Sequence, residues 1–367
     1  MIMNDTQRLV QEHIDELVAT GAELGLQVAA YRDGELLVDA VAGVADVATG
    51  RAVTSGTPFF ATSAGKGVVA TVVHVLAEKG VLDYDRPIAE LWPEFAANGK
   101  ERVTLRQALV HTAGIPGVPP ETTPEDLADW DRMAAIVAAA EPWWEPGTKT
   151  GYHALTFGWI VGEVIRRATG RELPEVLRDE VTGPLGVAEE IYFAVPEGRL
   201  GGLAVLEEPP GAAEMMASMP PDLPMFKTAP PALFPSAALY NRPGFLTANV
   251  LAGGTMTARA VARMYAALLG EVDGVRLISP ARLAEVTAIA FTGVDQIFGN
   301  EATWGLGYTF ENPVERPTTF GFTGAGGTVA HADTASGVTF ALMRNTFSFG
   351  DLSAAERLAA VVTAADA

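Results

Sequence analysis

The sequence predicts an α+β fold in which helices flank an antiparallel sheet built from both ends of the chain. The N-terminal part follows the order helix, strand, strand, and the C-terminal part, from "GGTVAHADTASGVTFALMRN" onward, follows the order strand, turn, strand, helix. Between them, residues 62–195 have a mainly helical pattern of apolar residues. A sheet shared by the two chain ends, with a mostly helical region inserted, accounts for this order.

The N-terminal elements are predicted from one helix face and one turn. The apolar residues with the spacing of a helix face are Leu9, Val10, Ile14, Leu17 and Val18. Two β-like runs in "LQVAAYRDGELLVDAVAG" are joined by Asp33-Gly34, and both residues tolerate the positive φ of a tight hairpin. This pattern predicts an antiparallel pair of strands.

The inserted region carries helix boundary signals and then a proline-rich segment. Thr104 and Gln107 have the spacing of a capping box, and Gly80 and Gly170 are predicted to end helices. Residues 207–243 hold nine prolines and four methionines, which predicts a long irregular loop. We interpret this loop either as a surface linker or as a flexible apolar wall over a pocket.

A helix is expected to return after Thr257, in "TARAVARMYAALLG", before the terminal strands and helix. The predicted domains are therefore a sheet domain of residues 1–61 plus 245–367 and a mostly helical domain of residues 62–244. The proline-rich segment belongs to the second domain.

Composition limits the partners. The chain has 367 residues, 49% of them hydrophobic, and a formal net charge of −20. It can bury a sizeable core, and its charge argues against nucleic acid or an acidic membrane surface as a partner. The absence of cysteine excludes disulfides, thiolate metal sites and a cysteine nucleophile. The first residues lack signal-peptide features, so we expect a cytoplasmic protein, and the oligomeric state stays open.

Ser63 and Lys66 form the strongest local signal for chemistry. Three residues apart at the start of a predicted helix, they lie on one face. A serine needs a base to become a nucleophile, and a lysine can be that base when burial lowers its pKa. Gly65 and Gly67 disfavour a helix and indicate close approach of another backbone or a substrate. The alternative is a solvated Lys66 with Ser63 as a helix N-cap.

Six stretches, in order, resemble the serine β-lactamase-like superfamily on its class C side, which includes family VIII carboxylesterases. They are residues 62–95, 103–117, 143–177, 251–264, 304–308 and 320–345. The resemblance implies the β-lactamase and penicillin-binding-protein fold and a serine enzyme with an acyl-enzyme intermediate. The family's Ser-x-x-Lys motif is Ser63 and Lys66.

The family's second motif, Tyr-x-Asn, falls on Tyr152, His153 and Ala154. The resemblance implies that Tyr152 shuttles protons with the lysine, as a phenolate beside an ammonium. Ala154 replaces an asparagine that holds the amide carbonyl of β-lactam and peptide substrates. His153 either lines the site or has a structural role, and His111 is interpreted as structural.

Two places compete for the family's third motif, Lys-Thr-Gly, which lies on a strand beside the serine. The literal match, residues 149–151, directly precedes the tyrosine on a loop and so cannot be that strand. The better candidate is Phe322, Thr323 and Gly324. Phe322 then replaces a cation that binds the carboxylate of penicillins and peptides.

Together these residues imply a serine hydrolase of neutral carboxylic esters. The backbone N–H groups of Ser63 and Ala325 are expected to form the oxyanion hole. No metal or cofactor is expected, and the partner is a small-molecule ester or acyl donor. An acyltransferase on the same scaffold is the nearest alternative. Ala154 and Phe322 disfavour a β-lactamase or a D-amino-acid peptidase. The presence of Ser63, Lys66 and Tyr152 together disfavours a non-catalytic binding protein.

Overall fold

A computed structural model describes residues 5–310 and 312–364, and a six-stranded sheet with helices on both faces forms its centre. The strands are β1 (Gly25–Arg32), β2 (Glu35–Asp46), β3 (Arg51–Ala52), β4 (Phe59–Phe60), β5 (Ile191–Tyr192), β6 (Thr255–Met256), β7 (Phe291–Val294), β8 (Glu301–Trp304), β9 (Thr319–Thr323), β10 (Val329–Asp333) and β11 (Val338–Arg344). The helices are α1 (Asp5–Ala19), α2 (Gly65–Glu78), α3 (Leu105–Leu109), α4 (Trp130–Ala139), α5 (Thr156–Thr169), α6 (Leu173–Leu177), α7 (Ala212–Ser218), α8 (Ala237–Tyr240), α9 (Pro243–Thr247), α10 (Ala258–Leu269), α11 (Pro280–Val286) and α12 (Ser353–Ala364).

The central sheet joins the two ends of the chain. Its strand order is β3-β2-β1-β11-β10-β9, and each neighbouring pair is antiparallel. The junction is the pairing of β1 with β11, which runs from Leu26 opposite Arg344 to Arg32 opposite Val338. The region between β4 and β6 is mostly helical. The predicted fold class is therefore confirmed.

Both faces of the sheet are buried under helices. Val28 and Ala30 of β1 pack in one cluster with α1 and α12, whereas Ala29 and Tyr31 face the larger core that contains α10. Successive side chains of a strand point to opposite faces, so β1 is apolar on both. This explains why nearly every residue of β1 is buried.

The predicted local signals are present. Asp33 and Gly34 have φ of 49° and 85° in the hairpin turn. Thr104 and Gln107 form a reciprocal capping box at the start of α3. Gly170 has a φ of 70° at the end of α5, which is the left-handed conformation that favours glycine.

The irregular loop predicted for residues 207–243 is wrong in part, because α7 and α8 lie within it. The prolines flank α7 at 209–210 and 220–221 and leave its seven residues free of proline. Tyr240, at the end of α8, packs on Phe60 with ring centroids 4.6 Å apart. The segment therefore ends close to the Ser63 region. The domain boundaries stay a prediction, and residues 1–4, 311 and 365–367 of those ranges lie outside the described residues.

Helix α2 passes through the core. Its residues from Gly65 to Ala77 are all buried, as the valine-rich sequence predicts. It has 14 residues, too few to span a hydrocarbon layer. In the described part of the chain, no helix has the length and apolarity needed to cross a membrane.

Candidate active site

Ser63 lies in a 3₁₀ turn, Thr62–Ala64, that leads directly into α2. Thr62 has a φ of 46°, which is uncommon for a residue other than glycine. Neither the turn nor α2 begins with a side-chain capping hydrogen bond, so Ser63 is not an N-cap. The local backbone therefore places the serine at the mouth of a buried helix.

The two glycines beside the serine are explained by neighbouring protein groups. A Cβ on Gly65 would lie 2.5 Å from the backbone nitrogen of Gly254, and a Cβ on Gly67 would lie 2.1 Å from the hydroxyl of Tyr265. The N–H of Ala61 also donates to the carbonyl of Gly254 at 2.7 Å. Close approach of another chain segment was one of the two predicted reasons for these glycines.

Replacing Gly65 with alanine is expected to lower the free energy of unfolding by about 1–3 kcal/mol, because the backbone at Gly254 has no space for a methyl group. Urea denaturation measures the change. Gly56→Ala is the matched control, since a Cβ at Gly56 meets nothing within 4 Å. Equal stability of the two variants would contradict the close packing.

Lys66 is completely buried and its amine faces the serine. Its Nζ donates to Ser63 Oγ at 3.1 Å and lies 3.5 Å from the carbonyl oxygen of Ala252. Burial lowers the pKa of Lys66 from its usual value of 10.5 to about 7. At neutral pH a large fraction of the amine is therefore uncharged and able to accept the serine proton. This excludes the alternative of a solvated Lys66.

We expect kcat/KM to fall tenfold per pH unit as the pH drops below about 7, because the protonated Lys66 amine accepts no proton. Three histidines are excluded as the source of this limb, since burial lowers the pKa of His74 to about 3, of His153 to about 4 and of His111 well below its usual value. A pH profile of ester hydrolysis tests this. The limb should persist in His13→Gln and His331→Gln variants, and a limb above pH 9 would contradict the assignment.

Tyr152 completes a group of three with Ser63 and Lys66. Its hydroxyl lies near enough to the Ser63 side chain for the serine to oppose the rise in pKa that burial causes, and Lys66 Nζ lies 5.2 Å from the centre of its ring. Burial raises the pKa of Tyr152 above its usual value of 10.0. The resting tyrosine is therefore a neutral phenol and not the expected phenolate. The uncharged lysine is the stronger candidate for the base, with Tyr152 as a proton relay.

Two residues outside the motifs fix the Tyr152 segment. His111 accepts the N–H of Gly151 on its carbonyl oxygen at 3.1 Å and the N–H of His153 on Nδ1 at 3.0 Å. Burial raises the pKa of the Asp295 carboxyl, and the nearby backbone N–H of Tyr152 opposes this rise. The adjacent Gln296 donates its N–H to the carbonyl of Thr150 at 2.9 Å. Sequence reasoning missed Asp295, which belongs to no motif. The nearby Gly299-Asn300 indicates a turn but not its partner.

His153 has no ring nitrogen left for a substrate. It is 1% exposed, its Nε2 accepts the N–H of Ile115 at 3.1 Å, and its Nδ1 bonds to the carbonyl of Gly151 at 2.6 Å. The structure thus gives it the structural role in place of the predicted substrate contact. The adjacent Ala154 is partly exposed and offers only a methyl group. No three His, Asp or Glu side chains among the described residues are grouped to hold a metal ion.

The end of β9 lies against the serine turn. Phe322 and Thr323 close the strand, and a Cβ on the following Gly324 would lie 2.1 Å from Thr62 Oγ1. Thr328 Oγ1 donates to the carbonyl of Ala61 at 2.6 Å. The turn that contains Ala325 therefore lies beside the turn that contains Ser63. By contrast, residues 149–151 lie in a loop with the Lys149 side chain exposed, so they do not form the strand of the third motif.

Aromatic rings surround Phe322, the residue that the sequence predicts to replace the cation of the family's third motif. Phe322 is 2% exposed, and its ring centroid lies 6.3 Å from those of both Tyr152 and Trp304. Trp304 is nearly parallel to Tyr152, at 3° and 6.3 Å. This wall has no charge with which to bind a carboxylate.

Arg344 makes hydrogen bonds to the turn that follows β9. Its Nε donates to the carbonyl of Gly326 at 2.9 Å, and Nη2 donates to the carbonyl of Asp351 at 3.1 Å. Nη1 pairs with Glu23 at 2.5 Å, and both side chains are almost fully buried. A buried ion pair therefore anchors the backbone next to Ala325.

Comparison with known proteins gives consistent matches over nearly the whole chain. A family model described as beta-lactamase matches residues 10–364. The esterase/beta-lactamase LipL of Mycobacterium tuberculosis is 34% identical over 88% of this chain and 77% of its own length. The crystal structure of a family VIII carboxylesterase is 32% identical with a TM-score of 0.88, covering 99% of this chain and 98% of that one. A penicillin-binding protein homologue from Caulobacter crescentus is 33% identical with a TM-score of 0.82, covering 98% and 99%.

Proposed function

Since the chain belongs to the beta-lactamase family, we propose that it is a serine carboxylesterase that works through an acyl-enzyme on Ser63. The observation that carries this proposal is the hydrogen bond of 3.1 Å between Ser63 Oγ and the fully buried Lys66. A nucleophile beside a base whose pKa is near the working pH is the arrangement that acyl transfer requires. The names of LipL and of the family VIII carboxylesterase agree with esters as substrates.

In the proposed reaction, Ser63 Oγ bonds to the ester carbonyl carbon while the neutral Lys66 amine takes its proton. The backbone N–H groups of Ser63 and Ala325 stabilise the oxyanion of the tetrahedral intermediate. The proton then reaches the alkoxide through the Tyr152 hydroxyl as the carbon–oxygen bond breaks, so the alcohol leaves and the acyl group stays on Ser63. Water attacks the acyl-enzyme by the reverse proton route and releases the acid.

The substrate side of the site favours neutral esters over β-lactams and peptides. The buried Phe322 has no positive charge for a substrate carboxylate, and Ala154 has no amide for an amide carbonyl. A buried or partly buried polar group that loses its hydrogen bond costs about 1–3 kcal/mol. Both replacements lower the affinity for penicillins without affecting a small ester.

The proposal is tested with a chromogenic short-chain ester and a serine-directed phosphonate. Ester turnover should be lost after treatment, and mass spectrometry should find one adduct, on the peptide that contains Ser63. An unmodified Ser63 together with full inactivation would contradict the assignment. Nitrocefin turnover as fast as ester turnover would instead favour a β-lactamase.

Acyl transfer is separated from hydrolysis by competition. With an alcohol or an amine present as acceptor, the ratio of new ester or amide to free acid reports which acceptor the acyl-enzyme uses. If the ratio of transfer product to free acid lies far above the ratio of acceptor to water concentration, the protein is an acyltransferase. A cytoplasmic location stays a prediction from the sequence.

A further inference from the structure

Phe298 is a half-exposed aromatic residue at the edge of the candidate active site. Its side chain is 50% exposed, and its ring centroid lies 5.8 Å from that of Tyr152 at an angle of 35°. One side of the ring contacts the tyrosine, and much of the rest is open to solvent. Because half of this apolar ring stays in contact with water, the ring contributes less to the free energy of folding than a fully buried ring would. Core packing therefore does not account for it.

The turn that carries Phe298 is held by Asp295 and lies against the Tyr152 segment. Oδ1 of Asp295 accepts the backbone N–H groups of Ile297 at 2.7 Å and Phe298 at 3.0 Å. Its carboxylate also lies near the backbone N–H of Tyr152, which opposes the rise that burial causes in the pKa of Asp295. The N–H of Gln296 adds a bond of 2.9 Å to the carbonyl of Thr150. Phe298 and Tyr152 thus keep a fixed relative position.

The chemistry of the proposed reaction indicates which half of the substrate lies next to Phe298. The acyl oxygen binds the N–H groups of Ser63 and Ala325, on the β9 side. The leaving oxygen must come within hydrogen-bond distance of the Tyr152 hydroxyl, because that group returns the proton. The alcohol substituent then extends past the tyrosine ring, where Phe298 lies.

We infer that Phe298 is a specificity-determining residue for the alcohol half of the ester, and this inference rests on the proposed ester hydrolysis. The geometry selects esters of apolar alcohols, flat or extended enough to lie on the free side of the ring. The acyl half does not meet Phe298, so its length is selected elsewhere in the site. Phe298 contributes to acylation only, since the alcohol has left before water attacks.

The test uses two ester series on the wild type and on Phe298→Ala. The first varies the alcohol at constant acetyl group, from methyl to benzyl acetate; the second varies the acid at constant methanol, from acetate to hexanoate. In Phe298→Ala, kcat/KM for benzyl acetate relative to methyl acetate should fall about tenfold. The acid series should keep its wild-type ratios, and deacylation of the acetyl-enzyme should keep its rate.

Two further variants make the result decisive. Ile289→Ala removes an apolar side chain that is 55% exposed just before the same hairpin and should leave both series unchanged. Phe298→Leu keeps an apolar contact and should restore most of the benzyl preference. An unchanged alcohol series, or a change confined to the acid series, overturns the inference while the esterase stands. If the wild type turned over none of these esters faster than Ser63→Ala does, the proposed esterase itself would be overturned.

Discussion

Replacing Ser63 with alanine is expected to lower kcat for ester hydrolysis by a factor of about 10⁴ to 10⁶, the range found when the nucleophile of a serine hydrolase is removed. The variant keeps Lys66 and Tyr152 but has no atom to carry the acyl group. The remaining turnover comes from binding and the oxyanion hole. Steady-state kinetics on a short-chain chromogenic ester measure the loss, and circular dichroism shows whether the fold is kept.

The matched comparison is Lys66→Met, alone and combined with Ser63→Ala. Because the serine and the lysine act as one unit, the double variant should be no slower than Ser63→Ala alone. Losses that multiply in the double variant would mean that the two residues act independently. Retention of a large share of the activity in Ser63→Ala would place the nucleophile elsewhere.

Much of the site was predictable because its chemistry is encoded in short spacings. Ser63 and Lys66 are neighbours on one turn, so their sequence separation alone brings them together, and the structure places them 3.1 Å apart. The sheet was also predictable, since both chain ends carry strand patterns and the region between them is mainly helical. These features depend on local periodicity and on chain order.

Other features depend on contacts between distant segments, which spacing does not reveal. Asp295 lies near Tyr152 only because the turn after β7 packs on the tyrosine segment, where the N–H of Gln296 donates to the carbonyl of Thr150. The same applies to the neutral state of Tyr152, since a motif shows which residue is present but not how deeply it is buried. In residues 207–243 the proline count predicted a loop, whereas the positions of the prolines, at the ends of α7, permit a helix.

Replacing Arg344 with methionine should lower the free energy of unfolding by about 3–5 kcal/mol, because Glu23 is 3% exposed and would stay buried without a partner. The carbonyl of Gly326 would also lose its donor, which loosens the turn next to Ala325. We therefore expect kcat to fall in the folded variant as well. Urea denaturation measures the first effect, and ester kinetics at low temperature measure the second.

The control is Arg357→Met, which breaks an ion pair of the same length, 2.5 Å, between half-exposed side chains. Water solvates Glu16 when its partner is removed, so the cost there should stay below about 1 kcal/mol. In the double variant Glu23→Gln, Arg344→Met, part of the loss should return, because no charge is left buried. If Arg344→Met costs no more than Arg357→Met, the pair at Glu23 does not anchor the turn, and the position of Ala325 depends on other contacts, such as the hydrogen bond of 3.0 Å that its carbonyl accepts from the N–H of Gly350.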